Sequence, residues 1–136
     1  MEMLVVVILG GVLVIYFMHR MAVTSQAKVH VELAIKAAAV IEQKAVAYHE
    51  DNKAWPDSVY DMHAESHMVA GAVAFDVEFS DGQLTLQFDT DQGRLAGKTL
   101  VLKPQRVGYT DNWSWSCDGG TLDNDYRPKA CLPYTL

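Results

Sequence analysis

The sequence predicts an α+β chain: a long N-terminal α-helix, hydrophobic in its first half, packed on a four-stranded antiparallel β-sheet with a C-terminal disulfide-closed loop. Three observations carry that expectation. An uncharged apolar run, Met3 to Met18, is followed by a stretch from Thr24 to Asn52 without glycine or proline, rich in helix-forming residues. Two runs of alternating apolar and polar residues flank Asp81-Gly82, the strongest short-range hairpin signal. Two cysteines, Cys117 and Cys131, stand near the C-terminus.

The helix comes first. Glu2 opens the apolar run, and His19 and Arg20 close it. Sixteen residues span roughly 24 Å, against about 30 Å of membrane hydrocarbon. The run has no basic region before it and so makes a poor signal peptide. A charge at the membrane face marks a function rather than a plain anchor. A buried carboxylate needs a partner, and the natural one is an amine from a neighbouring copy of the same chain. The plain alternative is a single-pass anchor. Gly10 and Gly11 each cost about 1 kcal/mol in a helix interior relative to alanine, so the pair marks a close-packing face or a place where the helix loosens.

Beyond the run, Val31, Ala34, Ile35, Ala38, Ile41, Ala45 and Tyr48 recur at helical spacing and predict a buried face, widened by Leu33, Ala37 and Val40. Glu32 and Lys36 stand in the favourable order for an ion pair one turn apart. Trp55-Pro56 stops the helix near Asn52, because the residue before proline is pushed out of the α region. A helix from Glu2 to Asn52 is about 75 Å long, more than a single small core can cover. The chain therefore divides into residues 1–23, a hydrophobic helix, and residues 24–136, a globular head that includes the second half of the helix.

In the head, Val73, Phe75, Val77 and Phe79 alternate with polar or small residues before Asp81-Gly82, and Leu84, Leu86 and Phe88 alternate after it. A third strand is expected at Lys98 to Lys103, ending at Pro104, and a fourth at Asn112 to Cys117. Asp57 to Ala70 reads as a connecting loop with a short helical turn. A head of this size needs a staple. Two cysteines in an exported domain read as one disulfide, worth roughly 3 kcal/mol for a loop of this length; two unrelated thiols are the alternative.

No residue set points to catalysis, a cofactor or a metal. His63 and His67 have the i,i+4 spacing of a helical metal pair but lack the HExxH glutamate, and a solvated loop accounts for them better. Asp118, Asp123, Asn124 and Asp125 do not follow the EF-hand spacing and read as a polar turn. Trp113 and Trp115 can stack bases, but alternate tryptophans read first as one face of a strand. Scattered Tyr16, Phe17, Tyr48 and Tyr60 read as packing residues. The net charge of −6 and the pI of about 5.2 disfavour broad binding to a phosphate backbone.

These residues together resemble bacterial type IV pilins nearly end to end. Glu2 followed by Met3 to Gly11 is similar to the family's N-terminal motif, with Glu2 at the glutamate and Gly11 at the glycine. Tyr48, Asn52, Trp55 and Pro56 resemble its helix exit, and Lys98 to Pro104 its strand ending in proline. Trp115-Ser116-Cys117 and Tyr126 to Cys131 resemble its C-terminal disulfide region. The chain departs from the pattern in three places. It shows no basic leader ending in glycine and starts three residues closer to the glutamate, His19 stands where a helix proline is usual, and Arg20 lies on the outward side against the positive-inside rule.

The resemblance implies a structural subunit and not an enzyme, without cofactor or metal. It implies a subunit held first in the inner membrane, then extracted by pilus assembly machinery into an extracellular helical filament of identical subunits. Such filaments serve adhesion, twitching motility or DNA uptake, with no direct nucleic-acid binding expected along the shaft. Glu2 would pair with a neighbour's N-terminal amine, Gly10 and Gly11 would permit loosening, Met1 would carry the N-terminal modification, and Cys117 and Cys131 would form the disulfide. A major subunit is expected from the small head and its cysteine pair. The alternatives are a minor pilin or type II secretion pseudopilin, and a membrane-anchored periplasmic binding domain.

Overall fold

The computed structural model describes the backbone of residues 2–132 and the side chains of residues 26–132. Helix α1 runs Glu2–Asn52, fifty-one residues, as the sequence predicts. Its end is built by a left-handed residue: Lys53 has φ 58°, and its N–H donates to the carbonyl of His49 at 2.8 Å. The Asn52 side-chain amide donates to the Tyr48 carbonyl at 3.0 Å. Pro56 is buried directly after this turn, so the chain leaves the helix under the head rather than into solvent.

Five strands follow: β1 (His67–Ala70), β2 (Val73–Ser80), β3 (Gln83–Phe88), β4 (Thr99–Arg106) and β5 (Trp113–Gly119). They form one antiparallel sheet in sequential order, β1 to β5. The predicted hairpin joins β2 to β3, and Asp81 and Gly82 both take positive φ, 55° and 74°, as a two-residue hairpin turn requires.

The sequence predicts four strands, and the fifth is β1. It falls inside Asp57–Ala70, the expected loop, whose predicted helical turn is the 3₁₀ segment Val59–Met62. Four residues are too few for a periodic signal, and β1 is a strand because β2 holds it, His67 opposite Asp76 through Ala70 opposite Val73. β4 also runs past its expected end and carries Pro104 within it, opposite Trp115. Pro104 lies beyond Gln83, where β3 begins, so that side of β4 is an open edge where proline is tolerated. β5 is shifted by one to two residues from Asn112–Cys117, and an extra β5 residue opposite Val101–Lys103 bends it where Cys117 sits.

One face of the sheet is apolar and α1 covers it. Phe75, Phe79, Leu84, Leu86, Phe88, Leu100 and Leu102 are buried against Val31, Ala34, Ala38, Ile41 and Ala45 of the helix. The alanines let the helix axis approach the sheet closely, and the phenylalanines of β2 and β3 fill the space. Cys117 and Cys131, fourteen residues apart, are joined in a disulfide.

Reducing this disulfide is expected to lower the stability of the folded chain by about 3 kcal/mol. The check is denaturant unfolding of the full chain in detergent, followed by near-ultraviolet circular dichroism with and without reductant. An unchanged midpoint would remove the staple from the account of the head.

Candidate functional site

The described half of α1 has two apolar faces. The first is the core face, where Ala27, Val31, Ala34, Ala38, Ile41 and Ala45 are buried. The second lies opposite: Val29, Leu33 and Val40 are 50%, 36% and 55% exposed. Leu33 and Val40 therefore do not widen the buried face as the periodicity suggests; only Ala37 and Ile35 do, as partly buried neighbours. The sheet is one layer thick and contacts one side of the helix, so Val29 and Val40, about 160° and about 140° round from the core face, are left half exposed. Leu33, about 120° round, reaches only the β1–β2 turn at Gly71. The expected Glu32–Lys36 pair is absent from the described ion pairs, which join His67 to Asp76 and Asp89 only. Exposed pairs of long side chains gain little over their entropy cost.

The tail after β5 is organised by a buried arginine that the sequence reading did not single out. Arg127 is 3% exposed. Its Nε and Nη2 donate to the Leu122 carbonyl at 3.2 and 2.9 Å, its Nη1 to Cys117 and Gly119 at 2.7 and 2.9 Å, and its Nη2 to Gly120 at 3.3 Å. All five donors of the planar fork are turned inward on backbone carbonyls of the loop that the disulfide closes. Burial lowers its pKa from the usual arginine value, while Asp118 and Asp123 oppose that shift. The only sequence signal was an arginine between the cysteines, which does not distinguish a surface charge from a core fork.

The same loop is sewn to β4. The Thr99 N–H donates to Thr121 Oγ1 at 2.9 Å, the Thr121 N–H to Thr99 Oγ1 at 3.0 Å, and the Leu122 N–H to the Thr99 carbonyl at 2.9 Å. Gly120 has φ 93°, and a Cβ there would collide with the Thr99 carbonyl. The turn Asn124–Tyr126 packs against α1, and the buried Tyr126 hydroxyl accepts from Arg94 Nη1 at 3.2 Å.

At the other end of the head, the helix exit and β5 make an aromatic cluster. Trp55 lies 4.4 Å from His49, 5.0 Å from Trp113 and 6.0 Å from Trp115 between ring centroids, the tryptophan pairs edge to face. Trp113 and Trp115 thus share one strand face, as their spacing predicts. Beside them a groove of about 400 Å³ runs along α1, lined by Glu42, Gln43, Val46, Glu50, Asp111 and the two tryptophans. Burial in this groove raises the Glu42 carboxyl from 4.5 to about 7.

The histidines expected at helical spacing are not on one helix. His63 has φ 54° and closes the 3₁₀ turn, whereas His67 begins β1. The sheet register brings His67 to Asp76 across the β1–β2 pair, and Nε2 lies 3.1 Å from Asp89 Oδ2 and 4.0 Å from Asp76 Oδ1. The Asp89 hydrogen bond raises the His67 pKa, with both carboxylates adding to it against desolvation. Among the described residues this is the one grouping of three potential metal ligands, and His67 and Asp76 are exposed. No sequence spacing announced it, because strand pairing creates it.

The assembly residues named from the sequence lie apart from all of this. Met1 lies outside the described residues, and the side chains of Glu2, Gly10 and Gly11 lie outside the described side chains. Among the described residues no helix is long and apolar enough to cross a membrane. A family model described as Pilin, a bacterial filament protein, matches residues 17–132, a span that takes in the core-facing helix, all five strands and the disulfide loop. No curated protein matches the chain.

Arg127→Ala is expected to destabilise the head by more than about 3 kcal/mol, since buried carbonyls lose a charged partner. Arg127→Lys should recover little, because a lysine cannot reproduce the fork; full recovery in urea unfolding would show that charge alone holds the loop. Glu42 contributes stability that is complete below pH 4.5 and is lost as pH rises through about 7, because its folded pKa is raised. Glu42→Gln should therefore flatten the fall in melting temperature between pH 4.5 and 7 and leave the variant the more stable form at pH 8. Parallel pH profiles for the two proteins would contradict the burial of this carboxyl.

Proposed function

The chain belongs to the pilin family of bacterial filament proteins, and from that premise we propose that it is the major subunit of a type IV pilus. As a pilin it assembles with other subunits into an extracellular filament and serves a structural role. The observation that carries the finer reading is the second apolar face of α1, Val29, Leu33 and Val40, which the head leaves partly exposed. It continues along the helix the apolar composition of Met3 to Met18. A helix apolar on the side away from its own core is suited to the inside of a bundle of like helices.

In this reading residues 1–23 hold the subunit in the inner membrane before assembly, and residues 24–136 form the head outside it. Pilus assembly machinery then moves the subunit into the filament, where helices form the interior and heads the surface. Glu2 pairs with the N-terminal amine of a neighbouring copy, because a carboxylate in an apolar helical core is expensive unless paired. Gly10 and Gly11 allow the helix to loosen as it packs, and Met1 carries the N-terminal methylation. The acidic charge favours adhesion or motility over DNA binding along the shaft. The small head stapled between Cys117 and Cys131 supports a major subunit over a low-copy pilin or secretion pseudopilin.

Glu2→Ala is expected to abolish surface filaments while the subunit stays folded and membrane-held, as read by electron microscopy of cells and by immunoblotting of membranes. Normal piliation in that variant would end the role of Glu2. The intact mass of the subunit in sheared surface material decides its rank. An abundant species carrying one disulfide identifies a major subunit, and retention with inner membranes identifies a pseudopilin or an anchored domain.

A further inference from the structure

Two charged hollows stand at different heights along α1 on the surface of the head. At the lower end Lys28 of α1, Arg94 after β3 and Lys129 of the tail line one hollow of about 490 Å³, in which Asp125 is the one carboxylate and the cations outnumber it. At the upper end Glu42 and Glu50 of α1 and Asp111 before β5 line the groove beside Trp113 and Trp115. Lys28, Arg94, Asp125, Lys129, Glu50 and Asp111 are exposed and Glu42 is partly buried. No described ion pair uses any of them. At 100° per residue, Lys28, Glu42 and Glu50 fall within about 40° of one line along the helix. Lys28 lies about 21 Å below Glu42 and about 33 Å below Glu50 on the same helix.

Two such patches on one flank cannot meet within a single copy, but they meet when a second copy is displaced along the helix axis. The contact is heterologous, so each copy still offers a free patch at each end and the series stays open, as a filament requires. The net charge of −6 makes like heads repel, which gives complementary contacts a decisive part in close stacking. Arg106 of the same copy already lies 5.2 Å over the Trp113 ring, so the carboxylates rather than that ring supply the attraction for an incoming cation. We infer that the groove lined by Glu42, Glu50, Asp111, Trp113 and Trp115 receives the Lys28, Arg94 and Lys129 hollow of a second copy of this chain. This axial head-to-head contact rests on the filament-subunit reading above.

The test uses native filaments sheared from cells and treated with a carbodiimide, which joins an amine to a carboxylate already in contact. Mass spectrometry is expected to find Lys28 or Lys129 joined to Glu42, Glu50 or Asp111. A Lys28–Glu42 link must be between copies, because about 21 Å separates the two within one chain. Filaments in which Lys28 and Lys129 link only to other acids overturn the contact while leaving the filament reading intact. Absence of this subunit from the sheared material overturns both. Glu50→Lys with Asp111→Lys, two exposed changes, should cut sheared filament about tenfold or more, while unassembled subunit stays at its normal level. The control is Glu78→Lys, an exposed reversal on β2 outside both patches. A filament yield equal to that control also overturns the contact.

Discussion

One helix has to satisfy two apolar surroundings at once, and the rest of the head follows from how α1 divides them. Its core face is built largely of alanine, at positions 27, 34, 38 and 45, with Val31 and Ile41 between. Small side chains bring the helix close to the sheet, so the volume of the core must come from the strands. β2 and β3 supply it with Phe75, Phe79 and Phe88, all essentially without exposure. The larger helix side chains Val29 and Val40 are left away from the sheet, and Leu33 stands at its margin beside Gly71, partly exposed. A helix with apolar residues on opposite faces has no single amphipathic direction, and only a second body can bury what the head leaves uncovered.

The tail secures the other boundary of the head. A disulfide closes the loop, but a covalent link alone leaves the loop's backbone carbonyls without partners. Arg127 supplies those partners from inside, and the paired Thr99 and Thr121 contacts fasten the loop to β4. The consequence reaches the surface. Once the loop is held, its Asn124–Tyr126 turn lies against α1, and Lys129 lines the same hollow as Lys28 and Arg94. The aromatic cluster does the corresponding work at the upper end, where Trp55 packs the helix exit against Trp113 and Trp115, the two β5 tryptophans that line the acidic groove.

The elements with strong local signals were legible. The full extent of α1, its stop before Trp55-Pro56, the Asp81-Gly82 hairpin and the buried stripe of β2 and β3 all follow from periodicity, propensity and turn chemistry, which act over a few residues. Elements that exist through their partners were not. β1 is four residues held by β2, and β4 passes through Pro104 because its neighbour has ended there. The His67, Asp76 and Asp89 grouping is a product of register, invisible to any spacing along the chain.

The sequence by itself determined the helix and its length, the strand pattern, the cysteine pair and the family resemblance, because each is written in residues close together or in one ordered series of motifs. Only the tertiary structure decided which helix side chains are buried, because periodicity gives a face its direction but not its width. Leu33 and Val40 show this: their spacing admits either outcome, and a single-layer sheet on one side of the helix leaves them exposed. It likewise decided that Arg127 lies in the core. A guanidinium is buried only where several carbonyls converge on it, and that convergence arises when the loop, β5 and the disulfide are folded together.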